Sequence, residues 1–164
     1  MCKIKALICF VLIVILYFFL VWINDDDYYP KIPNLGEVRN IRLRRTLGER
    51  KYWCIDNKED IAQILDFLKE QSKEKWKRFP DDRQFVTGDY PYWAVFEGSL
   101  HSIGYGSGKL RINEYGMKND VFKDSGYKSI SKQDEERLLE LTRVIGDKKY
   151  KLIDPNSNSG IGCS

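Results

Sequence analysis

Between Ala6 and Ile23 the chain reads ALICFVLIVILYFFLVWI, a run without a charged side chain. Roughly 18 consecutive apolar residues suffice for a helix that crosses a bilayer, and such a run has no place on the surface of a small globular fold. A cleavable signal peptide would have a shorter apolar region, about 7–15 residues, closed by small side chains. Here the run ends in Trp22, Ile23, Asn24 and three aspartates, so an uncleaved anchor is expected. A lipoprotein reading fails as well, because Ile8 precedes Cys9 and that cysteine opens the run instead of closing it. Leu7, Phe10, Leu12, Ile15, Phe19 and Trp22 are the side chains expected to meet membrane lipid through residues 6–23. Lys3 and Lys5 flank one end and Asp25, Asp26 and Asp27 the other, which predicts a cytoplasmic N-terminus and an exported C-terminal domain. The expected location is a bacterial inner membrane, crossed once, with the domain periplasmic or extracellular. The lack of an N-x-[ST] acceptor agrees with a bacterial envelope.

The rest of the 164 residues has room for one domain. Residues 1–23 are read as tip and anchor, 24–40 as an extended stalk because of Pro30, Pro33 and Gly36, 41–153 as the domain, and 154–164 as a flexible polar tail. Ile41 and Leu43 alternate with Arg42 and Arg44, and Lys51–Ile55 is rich in aromatic and apolar types, which predicts two strands joined by a Gly48-Glu49 turn. Asp56 or Asn57 can cap a helix over Lys58–Lys73, since Ile61, Ile64, Leu65 and Leu68 recur at helical spacing. From Phe85 to Tyr115 three strands are expected, with Tyr92, Ala94 and Phe96 on one face and Trp93 and Val95 on the other. Ser131 with Asp134 opens a second helix, whose left-handed cap is expected at Gly146. The expected fold is therefore α+β: a transmembrane helix, then one domain of order β-β-α-β-β-β-α with an antiparallel sheet and two amphipathic helices on one face.

Function is less legible. With 27 basic against 24 acidic residues the net charge of +3 lacks the basic footprint of a nucleic-acid binder, so no nucleic-acid partner is expected. His101 is the only histidine, and Cys54 and Cys163 are the only cysteines beyond the apolar run, so a Cys–His dyad would have to be built from these. Gly104, Gly106 and Gly108 before Lys109 have a phosphate-loop look, but Leu110 replaces the metal-binding hydroxyl and a strand follows, so a hairpin turn is expected. Asp81, Asp82, Glu135, Glu136 and Glu140 lack the apolar flanks that would lift a carboxyl pKa. No G-x-S-x-G, H-E-x-x-H or C-x-x-C occurs in the exported part. No catalytic residue, metal or cofactor is expected.

Two basic clusters remain. Arg39, Arg42, Arg44, Arg45, Arg50 and Lys51 are explained in large part by protection of a sheet edge. Lys75, Trp76, Lys77, Arg78 and Phe79 combine cations with aromatic rings, a composition common in binding hot spots, and are the expected partner-binding residues. The expected function is a membrane-anchored extracytoplasmic domain that captures or inhibits a protein partner in the cell envelope. The plan resembles that of small membrane-anchored immunity proteins acting against envelope-directed toxins, a likeness of architecture without a family motif. The competing expectation is a small ligand-binding or hydrolytic enzyme with a cleft lined by His101, Tyr105, Tyr90 and Tyr92. In an oxidising compartment Cys54 and Cys163 could pair across a loop of about a hundred residues. Against this, Cys54 lies in an apolar strand where a buried free thiol is common.

Overall fold

Alternation decides the sheet. In β2 (Asn40–Arg45) Ile41 and Leu43 are buried while Arg42 and Arg44 are half-buried. The same period recurs in β3 (Tyr52–Ile55), where Trp53 and Ile55 are buried, and in β5 (Tyr92–Glu97), where Ala94 and Phe96 are. Registers Ile41↔Ile55, Leu43↔Trp53, Ile41↔Phe96 and Leu43↔Ala94 put these apolar side chains on one face. The structure, a computed structural model, describes residues 10–16, 27–47, 51–79, 90–115, 122–145 and 163. The remaining strands are β1 (Asp27–Tyr28), β4 (Trp76–Arg78), β6 (His101–Gly106), β7 (Lys109–Tyr115) and β8 (Phe122–Ser129). All eight strands form one antiparallel sheet in the order β1-β4-β8-β7-β6-β5-β2-β3.

Among the described residues three helices accompany the sheet: α1 (residues 10–16), α2 (Lys58–Ser72) and α3 (Lys132–Leu141). The side chain of Asn57, not Asp56, caps α2, accepting from the backbone N–H of Glu59 at 2.8 Å and of Asp60. Ile61, Ile64, Leu65, Phe67 and Leu68 then form its buried face. Ser131 caps α3 by accepting from the Asp134 N–H at 3.0 Å. Leu138 of α3 is buried with the α2 and strand side chains, and the Trp53 indole N–H donates to the Thr142 carbonyl at 2.9 Å. Both helices thus cover the face that carries Ile41, Leu43, Ala94, Phe96, Ile103, Leu110 and Ile112.

Three expectations are corrected. Among the described residues no helix is long and apolar enough to cross a membrane. Of the stretch expected to span, residues 10–16 are described, and they are helical. Phe10, Leu12 and Ile15 are exposed there, and Leu7, Phe19 and Trp22 lie outside the described residues. The spanning helix is therefore no part of the described fold. Next, the sheet has eight strands, because β1, β4 and β8 join those read from alternation. Finally, the segment read as a stalk contributes Tyr28 and Val38 to the core, with Tyr28 paired opposite Trp76 and β1 closing one edge of the sheet. Asp81, Asp82, Phe85, the Gly48-Glu49 turn, Gly146 and the tail before Cys163 lie outside the described residues.

Candidate functional site

With α2 and α3 on one face, the other face of the sheet is where alternation sends the remaining side chains. Tyr52, Arg44, Trp93, Gly104, Arg111 and Tyr127 stand opposite one another, in that order, on β3, β2, β5, β6, β7 and β8. The result is a cross-strand row in which guanidinium groups alternate with aromatic rings, interrupted by one glycine. Gly104 has to be small: a Cβ there would lie 2.4 Å from the Trp93 ring and 3.0 Å from Tyr90. The Tyr90 and Trp93 rings meet edge to face at 6.4 Å above this position. Farther along the row the guanidinium of Arg111 lies 4.0 Å from the Phe79 ring centroid, and Phe79 meets Tyr127 edge to face at 5.7 Å.

The neighbouring row holds Cys54, Arg42, Val95, Ser102, Asn113 and Ser125. Its polar members knit the face together. Arg111 Nε donates to Asn113 Oδ1 at 2.7 Å and Arg111 Nη2 to Ser125 Oγ at 3.4 Å, while Asn113 Nδ2 donates to Ser102 Oγ at 3.3 Å. All four are buried, with Arg111 only 3% exposed, so this network costs desolvation that its hydrogen bonds must offset. Arg42 pairs with Glu97 at 3.5 Å. Arg44 differs. Its guanidinium carbon lies 5.9 Å from the Trp93 ring centroid, its Nε is buried without an acceptor, and among the described residues no carboxylate pairs with it.

Cys54, on this same face, is disulfide-bonded to Cys163, with 5.5 Å between the Cα atoms. The bond fastens residue 163 beside Arg42 and Tyr52, on the edge strand β3.

The expected binding cluster is divided by its own alternation. Trp76 is 0% exposed, packed in the core with its indole N–H donating to the Gln71 carbonyl at 3.0 Å, so its ring cannot serve as a surface anchor. Lys75, Lys77 and Arg78 are exposed; Lys75 pairs with Asp27 at 2.5 Å, and Arg78 lies over the Tyr28 ring at 5.7 Å. Phe79 is half-buried over Arg111. The expected cleft around His101 does not assemble either. His101 and Tyr105 share the helix-covered face, where Tyr105 stacks on Tyr92 at 5.5 Å, whereas Tyr90 sits on the opposite face against Gly104. Burial lowers the His101 pKa, opposed by Glu114 and Glu37, and both ring nitrogens are buried without a partner. Burial likewise pushes the Tyr105 hydroxyl far up, against a smaller lowering from Thr142.

Gly104-Tyr105-Gly106 and Gly108 build a hairpin, with Ser107 at φ 55° and Gly108 at φ 71° as the two-residue turn between β6 and β7. Its Gly108 N–H donates to the Glu135 carboxylate at 2.9 Å, which explains that carboxylate structurally. Among the described residues no cluster of histidine, cysteine and carboxylate side chains is placed to hold a metal ion. Arg111, Asn113, Ser102 and Ser125 escaped the sequence reading because each looks like an ordinary solvent-facing strand position. Only the register of β6, β7 and β8 aligns them. Comparison with protein-family models, curated proteins and solved structures found no match.

Proposed function

We propose that this chain works outside the reducing cytoplasm as a binding domain that captures or inhibits a protein partner in the cell envelope. The observation that carries the reading is the division of reactive side chains between the two faces of the sheet. His101 and Tyr105 lie on the helix-covered face, and Cys54 lies on the other with its sulfur bonded to Cys163. The Cys–His dyad that an enzyme of this composition would use is thereby split, while the face away from the helices presents Arg44 and Tyr52 partly exposed, residue types that dominate protein interfaces. The disulfide supports the compartment, since such bonds persist where thiols are not kept reduced.

Two measurements test this reading. Alkylating free thiols in intact cells before lysis, then mapping peptides, should recover Cys54 joined to Cys163; recovering both as alkylated thiols would put the protein in a reducing compartment and end the proposal. A photo-reactive side chain placed at Tyr52 should cross-link to one protein. Cross-links confined to lipid or small molecules would count against a protein partner.

A further inference from the structure

We infer that Arg44 is the seat for a carboxylate of an acidic protein partner, held on the face of β3, β2 and β5 away from the helices, where Arg44 and Tyr52 are partly exposed beside the buried Trp93. The inference rests on the binding reading above and gives that reading a chemistry.

Other cations of the sheet already have partners. Arg111 is consumed by Asn113 and Ser125, and Arg42 by Glu97. On the helix side Arg143 pairs with Asp60, Arg137 with Glu70 at 2.9 Å, and Lys128 with Glu74. Arg44 lies with its guanidinium carbon 5.9 Å from the Trp93 ring centroid and, among the described residues, has no carboxylate, and its Nε is out of solvent without an acceptor. A guanidinium carries five N–H donors in a rigid planar fork, so a cation stacked on an indole with that fork unanswered is organised to receive a planar bidentate acceptor. The Trp93 contact and the burial of Nε restrain the side chain in part, which lowers what a partner must supply on binding.

The neighbours fit the same occupant. Tyr52 lies directly across β3 from Arg44 and is half-buried, offering an aromatic wall. Arg42, two residues away on the same face, is paired with Glu97 at 3.5 Å, so that carboxylate is engaged away from Arg44. Trp, Tyr and Arg together are the types enriched at binding hot spots. A row of phosphates would be met by several open cations; among the described residues on this face of β3, β2 and β5 the cation without a carboxylate is Arg44, one planar group, which suits one Glu or Asp of a protein.

The probe is a fluorescein-labelled peptide of alternating glutamate and glycine, titrated at low salt against the full chain; a phosphatidylglycerol vesicle is the parallel probe. Saturable peptide binding is expected, weakened at least tenfold by Arg44→Gln and also by Arg44→Lys, which keeps the charge but loses the fork. Lys132→Gln, an equal charge change on α3, should leave binding as it was. The Trp93 indole N–H resonance, assigned through Trp93→Phe, should shift on titration in the wild-type chain and stay put in Arg44→Gln. Thermal midpoints of both Arg44 variants establish that they fold, and the lysine variant serves if glutamine does not. Absence of peptide binding, binding unchanged by both substitutions, or Arg44-dependent binding to vesicles alone would overturn the inference. If cross-linking from Tyr52 still finds a protein and Arg44→Gln leaves that capture intact, the carboxylate seat is wrong while the binding function stands.

Discussion

His101 illustrates how a single side chain acquires a measurable consequence from its position. Alternation turns it toward the helix-covered face, burial disfavours the imidazolium, and the nearby Glu114 and Glu37 carboxylates only partly offset that cost. The folded pKa therefore lies below the ordinary 6.5 of the unfolded chain. As pH falls past that value the unfolded state takes up a proton before the folded state does, so acidification favours unfolding; at higher pH the imidazole is neutral in both states and contributes nothing to the slope. Urea midpoints measured at about pH 7.5 and about pH 5.5 should show a loss of stability in the wild-type chain that is smaller in His101→Phe, which keeps a ring and cannot titrate. Equal losses in the two proteins would mean that His101 is not the group responsible. The same face logic explains Trp76. A tryptophan among lysines reads as an exposed anchor, yet its position opposite Tyr28 sends the indole inward and leaves only the lysines outside.

Elements with strong periodicity were legible, and those defined by partners were not. The apolar spacing of Ile61, Ile64, Leu65 and Leu68 locates α2, and the alternation of β2 and β5 assigns their faces. By contrast β8 reads FKDSGYKS, with a glycine at its centre, and becomes a strand through its pairing with β7 and β4; β1 and β4 are too short to carry a period at all. At the end of α3 the left-handed residue among those described is Arg143, φ 58°, whose N–H donates to the Glu140 carbonyl at 2.9 Å while the Val144 N–H donates to that of Leu139 at 2.8 Å. An arginine in this conformation costs on the order of 1 kcal/mol relative to glycine. What holds it there is the guanidinium contact with Asp60, a mostly buried carboxylate in the first turn of α2. Losing one member of a buried pair costs about 3–5 kcal/mol, more than the backbone relief. Arg143→Gly should accordingly destabilise the fold by roughly 2 kcal/mol, while in an Asp60→Asn background the same change should be neutral or stabilising. A double-mutant cycle in urea measures this, and additive effects would show that the two side chains are not coupled.

At the scale of the whole molecule the sheet has two ends, closed differently. At one end β1 is a two-residue strand brought back from the N-terminal segment, with Tyr28 reaching into the core; at the other, β3 pairs only with β2, and the disulfide from Cys54 attaches residue 163 to it. The loop so closed spans a sequence separation of 109, encompassing both long helices and six of the eight strands in whole or part. Restraining an unfolded loop of that size removes about 4–5 kcal/mol of chain entropy in the simplest account, and loss of native bridges typically costs about 2–5 kcal/mol. The bond matters because the sheet is assembled from distant pairings: β1 meets β4, and β2 meets β5 across α2, so most of the order must be acquired before the long-range contacts stabilise it. Cys163→Ser should therefore lower the unfolding free energy by about 2–4 kcal/mol, read from urea denaturation. The wild-type chain in reductant should fall to the same value. Reductant should do nothing further to Cys163→Ser, because its effect on the wild type runs through this one bond; equal sensitivity of both proteins would locate the stabilisation elsewhere.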